Sequence, residues 1–103
     1  MIATQVARTI ANFVVFFELT DESLINLDDA VEMMEGLAGG LQAMDKKFLR
    51  ELVDAFPVIA EDYSGEAQEV VRGIAYSFYL EEELAADDPL KLAELEALRD
   101  ARE

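Results

Sequence analysis

The 103-residue chain predicts an all-α fold, a compact bundle of four to five helices, and three observations carry that expectation. Apolar residues recur at spacings of three and four along most of the length, the periodicity of a helix with one buried face. Caps and breakers punctuate the pattern at Asn26, Asp45, Pro57, Ser64 with Gly65, and Asp88 with Pro89. Hydrophobic residues make up 52% of the chain, too many for a disordered acidic tail despite a formal net charge of −15. One helical domain over 1–103 fits this length, with 88–102 free to lie at its periphery or to pair with a second copy.

The first helix is expected over 3–19, where Ile2, Val6, Ile10, Phe13 and Phe17 share a face. Val14, Val15 and Phe16 fall off that face, so the second half is apolar nearly all round, as in a helix central to a bundle or covered by a partner. Phe and Val also favour a strand over 12–19, but the helical spacing runs unbroken from Ile2. The longest uninterrupted apolar block, 13–17, is bracketed by Asn12 and Glu18 and followed by no small-residue cleavage site. Neither a signal peptide nor a bilayer span of ~20 apolar residues is expected, which points to a cytoplasmic protein.

A connection follows over 20–26, with Leu24 and Ile25 as anchors to the core. Asn26 caps the second helix, and Asp28 and Asp29 occupy its first turn, where carboxylates meet the positive end of the dipole. Leu27, Ala30, Val31, Met34, Leu37, Ala38, Leu41 and Met44 form its apolar seam, opposite Asp28, Asp29, Glu32 and Glu35. Gly36, Gly39 and Gly40 each cost up to ~1 kcal/mol against Ala inside a helix. Since the seam continues through Leu41 and Met44, close approach of the first helix and its Phe residues is the favoured reading, ahead of a helix end at Gly39 or Gly40.

Asp45 caps the third helix, whose buried face is Phe48, Leu49, Leu52, Val53 and Phe56. Pro57 is expected to stop or kink it, with one further short turn over 58–63. With Ser64 as a candidate cap, a fourth helix buries Ala67, Val70, Val71, Ile74, Ala75 and Phe78, points Tyr76 away from that face and sets Tyr79 on its flank. Glu81, Glu82 and Glu83 then fall at its C-terminal end, where the dipole disfavours anions, unless the helix runs on to Ala86. Asp88 and Pro89 start a last helix with a narrow stripe of Leu92, Leu95 and Leu98 and basic residues, Arg99 and Arg102, at its end. No internal repeat is present.

Catalysis is not expected. His and Cys are both absent, and Ser23, Ser64 and Ser77 have no base-bearing motif around them, so neither catalytic residues, a metal nor a cofactor is predicted. The span 21–32 has the length and acidic ends of a calcium loop, but Ser23, Ile25 and Asn26 stand where ligands and a turn glycine are needed. The GLAGG run lacks the Lys of a phosphate loop.

Interaction remains. With a sequence pI of about 4.1, nucleic acids and anionic membranes are disfavoured as partners and basic proteins favoured. No Lys or Arg occurs over 9–45, while Glu18, Asp21, Glu22, Asp28, Asp29, Glu32, Glu35 and Asp45 are acidic. The candidate partner-binding residues are Asp21, Glu22, Asp28, Asp29, Glu32 and Glu35, which would steer, with Tyr63 and Tyr76, which would anchor. The plainer alternative is charge that keeps a small domain soluble and tyrosines that cover the rim of the core, the preferred reading for Tyr79.

The order of an apolar helix, FFELTDES, LDDAVEMMEGLAGGLQAMD and FLRELVDAF resembles the small acidic helical immunity proteins of bacterial polymorphic toxin systems. The resemblance covers 13–60, and its acidic part corresponds to Asp21, Glu22, Asp28, Asp29, Glu32 and Glu35; the stretch after Glu83 departs from it. It implies a non-enzymatic protein that binds and occludes a cognate toxin, a basic one on electrostatic grounds. The alternatives are an acidic DNA mimic or regulatory inhibitor of a basic nucleic-acid-binding protein, and a homo-oligomeric bundle, with a homodimer as its simplest form.

Overall fold

The computed structural model describes residues 2–21 and 23–102 and is helical throughout, with no strand among the described residues. Among the described residues seven helical segments replace the expected four to five: α1 (Ile2–Leu19), α2 (Leu27–Gln42), α3 (Lys46–Ala60), α4 (Gly65–Arg72), α5 (Ile74–Ser77), α6 (Leu80–Leu84) and α7 (Pro89–Arg102). The extra segments arise because the expected fourth helix is broken twice. Gly73 closes α4 with a backbone at φ −91°, ψ 0°, and Tyr79 adopts the left-handed conformation at φ 58°. The second break relocates Glu81, Glu82 and Glu83 from the end of an old helix to the first turn of a new one, where the dipole no longer opposes them.

The core is one cluster in which Ala7, Ile10, Ala11 and Val14 of α1 meet Leu49, Leu52, Val53, Phe56, Ile59 and Ala60 of α3, closed by Val71, Ile74, Phe78 and Leu80. Leu49, Leu52, Val53 and Phe56 of α3 and Val71, Ile74 and Phe78 are among the residues that periodicity selects, whereas Ile59 and Ala60 are not, and Phe48, which it also selects, is only half-buried. For α1 only Ile10 is so selected. Its buried stripe is Ala3, Ala7, Ile10, Ala11 and Val14, whereas Ile2 is 72% and Phe16 55% exposed and Phe13 and Phe17 are half-buried. The small side chains let the α1 backbone come close to α3; a phenylalanine at Ala7 or Ala11 would hold the helices apart.

Pro57 neither stops α3 nor ends its burial: the helix continues to Ala60, with Ile59 and Ala60 in the core. Proline removes one backbone donor, and burial of the last turn offsets the loss. Asn26 and Asp45 cap as expected, accepting from the backbone N–H groups of Asp29 and Phe48 at 3.1 Å each, and Asp88 accepts from that of Lys91 at 3.1 Å. Ser64 makes no side-chain cap. Leu24 does not anchor its loop, being 78% exposed.

By length, 18 residues, and mean hydropathy, 1.3, α1 does meet the minimum for a bilayer-crossing helix, contrary to the sequence reading. In this fold its alanine stripe is built into the core, the arrangement by which a core helix passes the same test.

The α2 helix is loosely held. It buries only Ala30 and Leu41, and the Gln42 side-chain amide ties its end to the Phe78 carbonyl at 3.0 Å. Its glycines neither end the helix nor admit a neighbour: a Cβ added at Gly36, Gly39 or Gly40 would meet nothing within 4 Å. They therefore weaken α2 with no packing return inside the chain. Gly39→Ala and Gly40→Ala are each expected to raise stability by about 0.5–1 kcal/mol, read as a higher denaturation midpoint with an unchanged m-value.

Candidate functional site

The acidic face of α2 is assembled by its cap and its phase. Asn26 fixes the start of the helix, and the seam turns Ala30, Leu37 and Leu41 inward, which leaves Asp28, Asp29, Glu32 and Glu35 exposed on the outer side. Asp21 lies just before, in a turn where its carboxylate accepts the Ser23 backbone N–H at 2.8 Å; that bond holds the carboxyl below its ordinary range. Glu22 lies outside the described residues.

The distribution of ion pairs sets this face apart. Arg8 pairs with Asp62, Lys46 with Asp87, Arg50 with Asp54 and Glu81, Arg72 with Glu61 and Glu69, Lys91 with Glu94, and Arg99 with Glu82. Among the described residues eight carboxylates over 46–102 are thus matched by base, while others there, such as Glu51, Glu66 and Glu96, are not; Arg50 holds the Glu81 carboxyl below its ordinary range through a hydrogen bond of 2.8 Å. Among the described residues no ion pair reaches 9–45, so the charge on α2 has no local counterpart.

Beside this charge lies exposed apolar surface, in which Leu27 and Val31 belong to the seam read from the sequence and Met33 does not. Leu27, Val31 and Met33 are each about half exposed, and Leu24 and Leu19 adjoin them in the chain. Two clefts flank α2. One, of about 590 Å³, is bounded by Phe17, Met34, Ala38 and Phe78, with Glu18 and Glu35 also in its lining. The other, of about 660 Å³, opens between α1 and α2, with Thr9, Ile10 and Phe13 on one wall and Asp29, Met33 and Gly36 on the other. Both are apolar with carboxylates among their lining residues, a combination suited to a ligand with an apolar body and a positive charge.

The two tyrosines are engaged within the fold. Tyr63 packs on the core and its hydroxyl donates to the Asn12 side-chain oxygen. Tyr76 does not project into solvent: its ring carries the Arg99 and Arg102 guanidinium groups at 3.8 and 4.0 Å. Arg99 also stacks on Tyr79 at 3.8 Å and donates to Glu82 and to the Tyr76 carbonyl, both at 2.8 Å. Sequence reasoning placed Tyr76 outward because α7, which covers it, comes from more than a dozen residues downstream. Neither ring lines the two clefts beside α2.

What the site can do chemically is bind. Carboxylates, methionine and half-exposed aliphatic side chains offer charge attraction and apolar contact, and no group of three or more ligating side chains among the described residues is arranged to hold a metal ion. Comparison with protein-family models, with curated proteins and with solved structures gives no match.

Proposed function

We propose that this protein is a non-enzymatic binding module that uses α2 to engage and occlude a basic protein partner, in the manner of an immunity protein acting on a cognate toxin in the cytoplasm. One observation supports the reading above others: Asp28, Asp29, Glu32 and Glu35 stand exposed together on one helix, with no ion pair among the described residues, in a stretch, 9–45, that holds no Lys or Arg. Solubility alone would be served by charge anywhere on the surface. Concentrating it on one weakly packed helix builds a local field that attracts a basic surface and speeds encounter. The resemblance over 13–60 supplies the finer identity of the partner as a toxin encoded nearby.

Co-purification with the product of the adjacent gene is the direct test, and a product that is not a toxin, or does not bind, removes the toxin reading. Reversal of Asp28, Asp29, Glu32 and Glu35 to Lys is expected to slow association by about 10²-fold or more at low salt, with the difference shrinking as ionic strength rises. Folding should survive, because all four side chains are exposed and the change reduces a net charge of −15. Unchanged association kinetics in a folded variant would move the interface off α2.

A further inference from the structure

We propose that the groove between α1 and α2 is the docking site for an amphipathic, cationic helix of the partner, a refinement that rests on the basic-partner reading above. The sequence leads one to expect that Gly36 admits the Phe residues of α1. Instead the helices stand apart there, leaving about 660 Å³ between Ile10 and Phe13 on one side and Met33 and Gly36 on the other. A side chain at Gly36 would meet nothing within 4 Å, so nothing inside the chain uses its absence.

Asp29, Met33, Gly36 and Gly40 recur at helical spacing and form one stripe of α2, in which the missing side chains at 36 and 40 open a path for another backbone. Helix against helix is the packing that such a stripe admits, and Met33, half exposed and unbranched, can adapt to the shape of its side chains. Charge selects among occupants. Asp29 and Glu32 both line the groove, Asp28 and Glu35 lie on the same helix, and none of the four has an ion pair. A second copy brings another net charge of −15 to this rim, and a neutral apolar ligand leaves the carboxylates unanswered. A helix with an apolar face towards Ile10, Phe13 and Leu37 and with Lys or Arg on its flanks satisfies both features.

The test uses the full chain and two synthetic peptides of about 18 residues, long enough to form a helix on docking. Both contain only Leu and Lys in equal proportion; one has the leucines at helical spacing and its scrambled isomer does not. Fluorescence anisotropy at about 0.15 M salt is expected to show the amphipathic peptide binding about tenfold more tightly than its isomer. Gly36→Leu fills the groove from α2, Thr9→Trp fills it from α1, and each should abolish this preference while leaving the isomer's affinity unchanged. Gly36→Ala should retain it.

Circular dichroism and thermal melting establish which variants are folded. Absence of the preference in the wild type, its persistence in either folded blocking variant, or its loss in Gly36→Ala overturns the groove proposal; the last would trace binding to helix softness. The fourfold Lys reversal on α2 separates the two ideas, since it should weaken both peptides. If it does so while Gly36→Leu keeps the preference, the acidic-surface reading stands and the groove falls. If the reversal weakens neither peptide, the acidic-surface reading falls and the groove proposal, which rests on it, falls too.

Discussion

Phe56→Ala is expected to cost about 3–5 kcal/mol, against a total stability of about 5–15 kcal/mol for a domain of this size. Phe56 is among the largest fully buried side chains and sits where α3 faces α1, so truncation leaves a cavity that the surrounding Leu52, Ile59 and α1 alanines cannot fill. Phe16→Ala, by contrast, should stay within about 1 kcal/mol of wild type. Its ring is more than half exposed and meets Phe17 edge-on at 5.4 Å, and the small loss from that contact is offset by the better helix propensity of alanine. Urea denaturation of the two variants checks the pair, and similar losses would mean that the Phe16 ring is buried.

Much of this fold is legible in the sequence where its causes are local. The buried faces of α3 and of 71–78, and the caps at Asn26, Asp45 and Asp88, are local features, written in spacing and in the side chains that satisfy a helix end. The face of α1 is not local. Hydrophobicity ranks phenylalanine above alanine, but the closest helix contact selects the smallest side chains, and only the partner helix decides which criterion wins. The same holds for the breaks at Gly73 and Tyr79. From 65 to 86 the apolar pattern is helical throughout, and the segment beyond the breaks is held by distant residues, Arg50 of α3 on Glu81 and Arg99 of α7 on Glu82.

The candidate site was legible in its charge and illegible in its shape. Composition located the acid on α2, and phase placed it outward. That the apolar seam beside it would be left partly uncovered, and that the glycines would border a gap instead of a contact, depends on how far α1 and α6 draw α2 inward. Ala30 and Leu41 are drawn in fully and Met34, Leu37 and Ala38 only in part, while Leu27, Val31 and Met33 stay exposed, which is why a surface read as acidic is also apolar.

Arg99→Ala is expected to release α7 while leaving the rest of the bundle folded. None of the residues of α7 is buried, Leu90 is 83% exposed, and Leu92 and Leu95 are only half covered, so apolar burial does little to hold this helix. Arg99 does it instead: its side chain is 11% exposed, pairs with a Glu82 side chain 15% exposed, bonds the Tyr76 carbonyl and stacks on two tyrosine rings. Each stacking contact is worth about 0.5–2 kcal/mol and the sheltered charge pair more than a surface one, while a detached helix of this length is marginal in water. The expected result is a loss of far-UV ellipticity equivalent to most of α7, rapid hydrogen exchange and proteolysis confined to 89–102, and a core transition lowered by a smaller amount. Arg99→Lys should fail to restore docking even though it keeps the charge, because an ammonium cannot reach Glu82 and the Tyr76 carbonyl together while lying flat on Tyr76 and Tyr79. Full protection of 89–102 in Arg99→Ala would show that Leu92 and Leu95 suffice, and that the arginine is an ornament on an apolar contact.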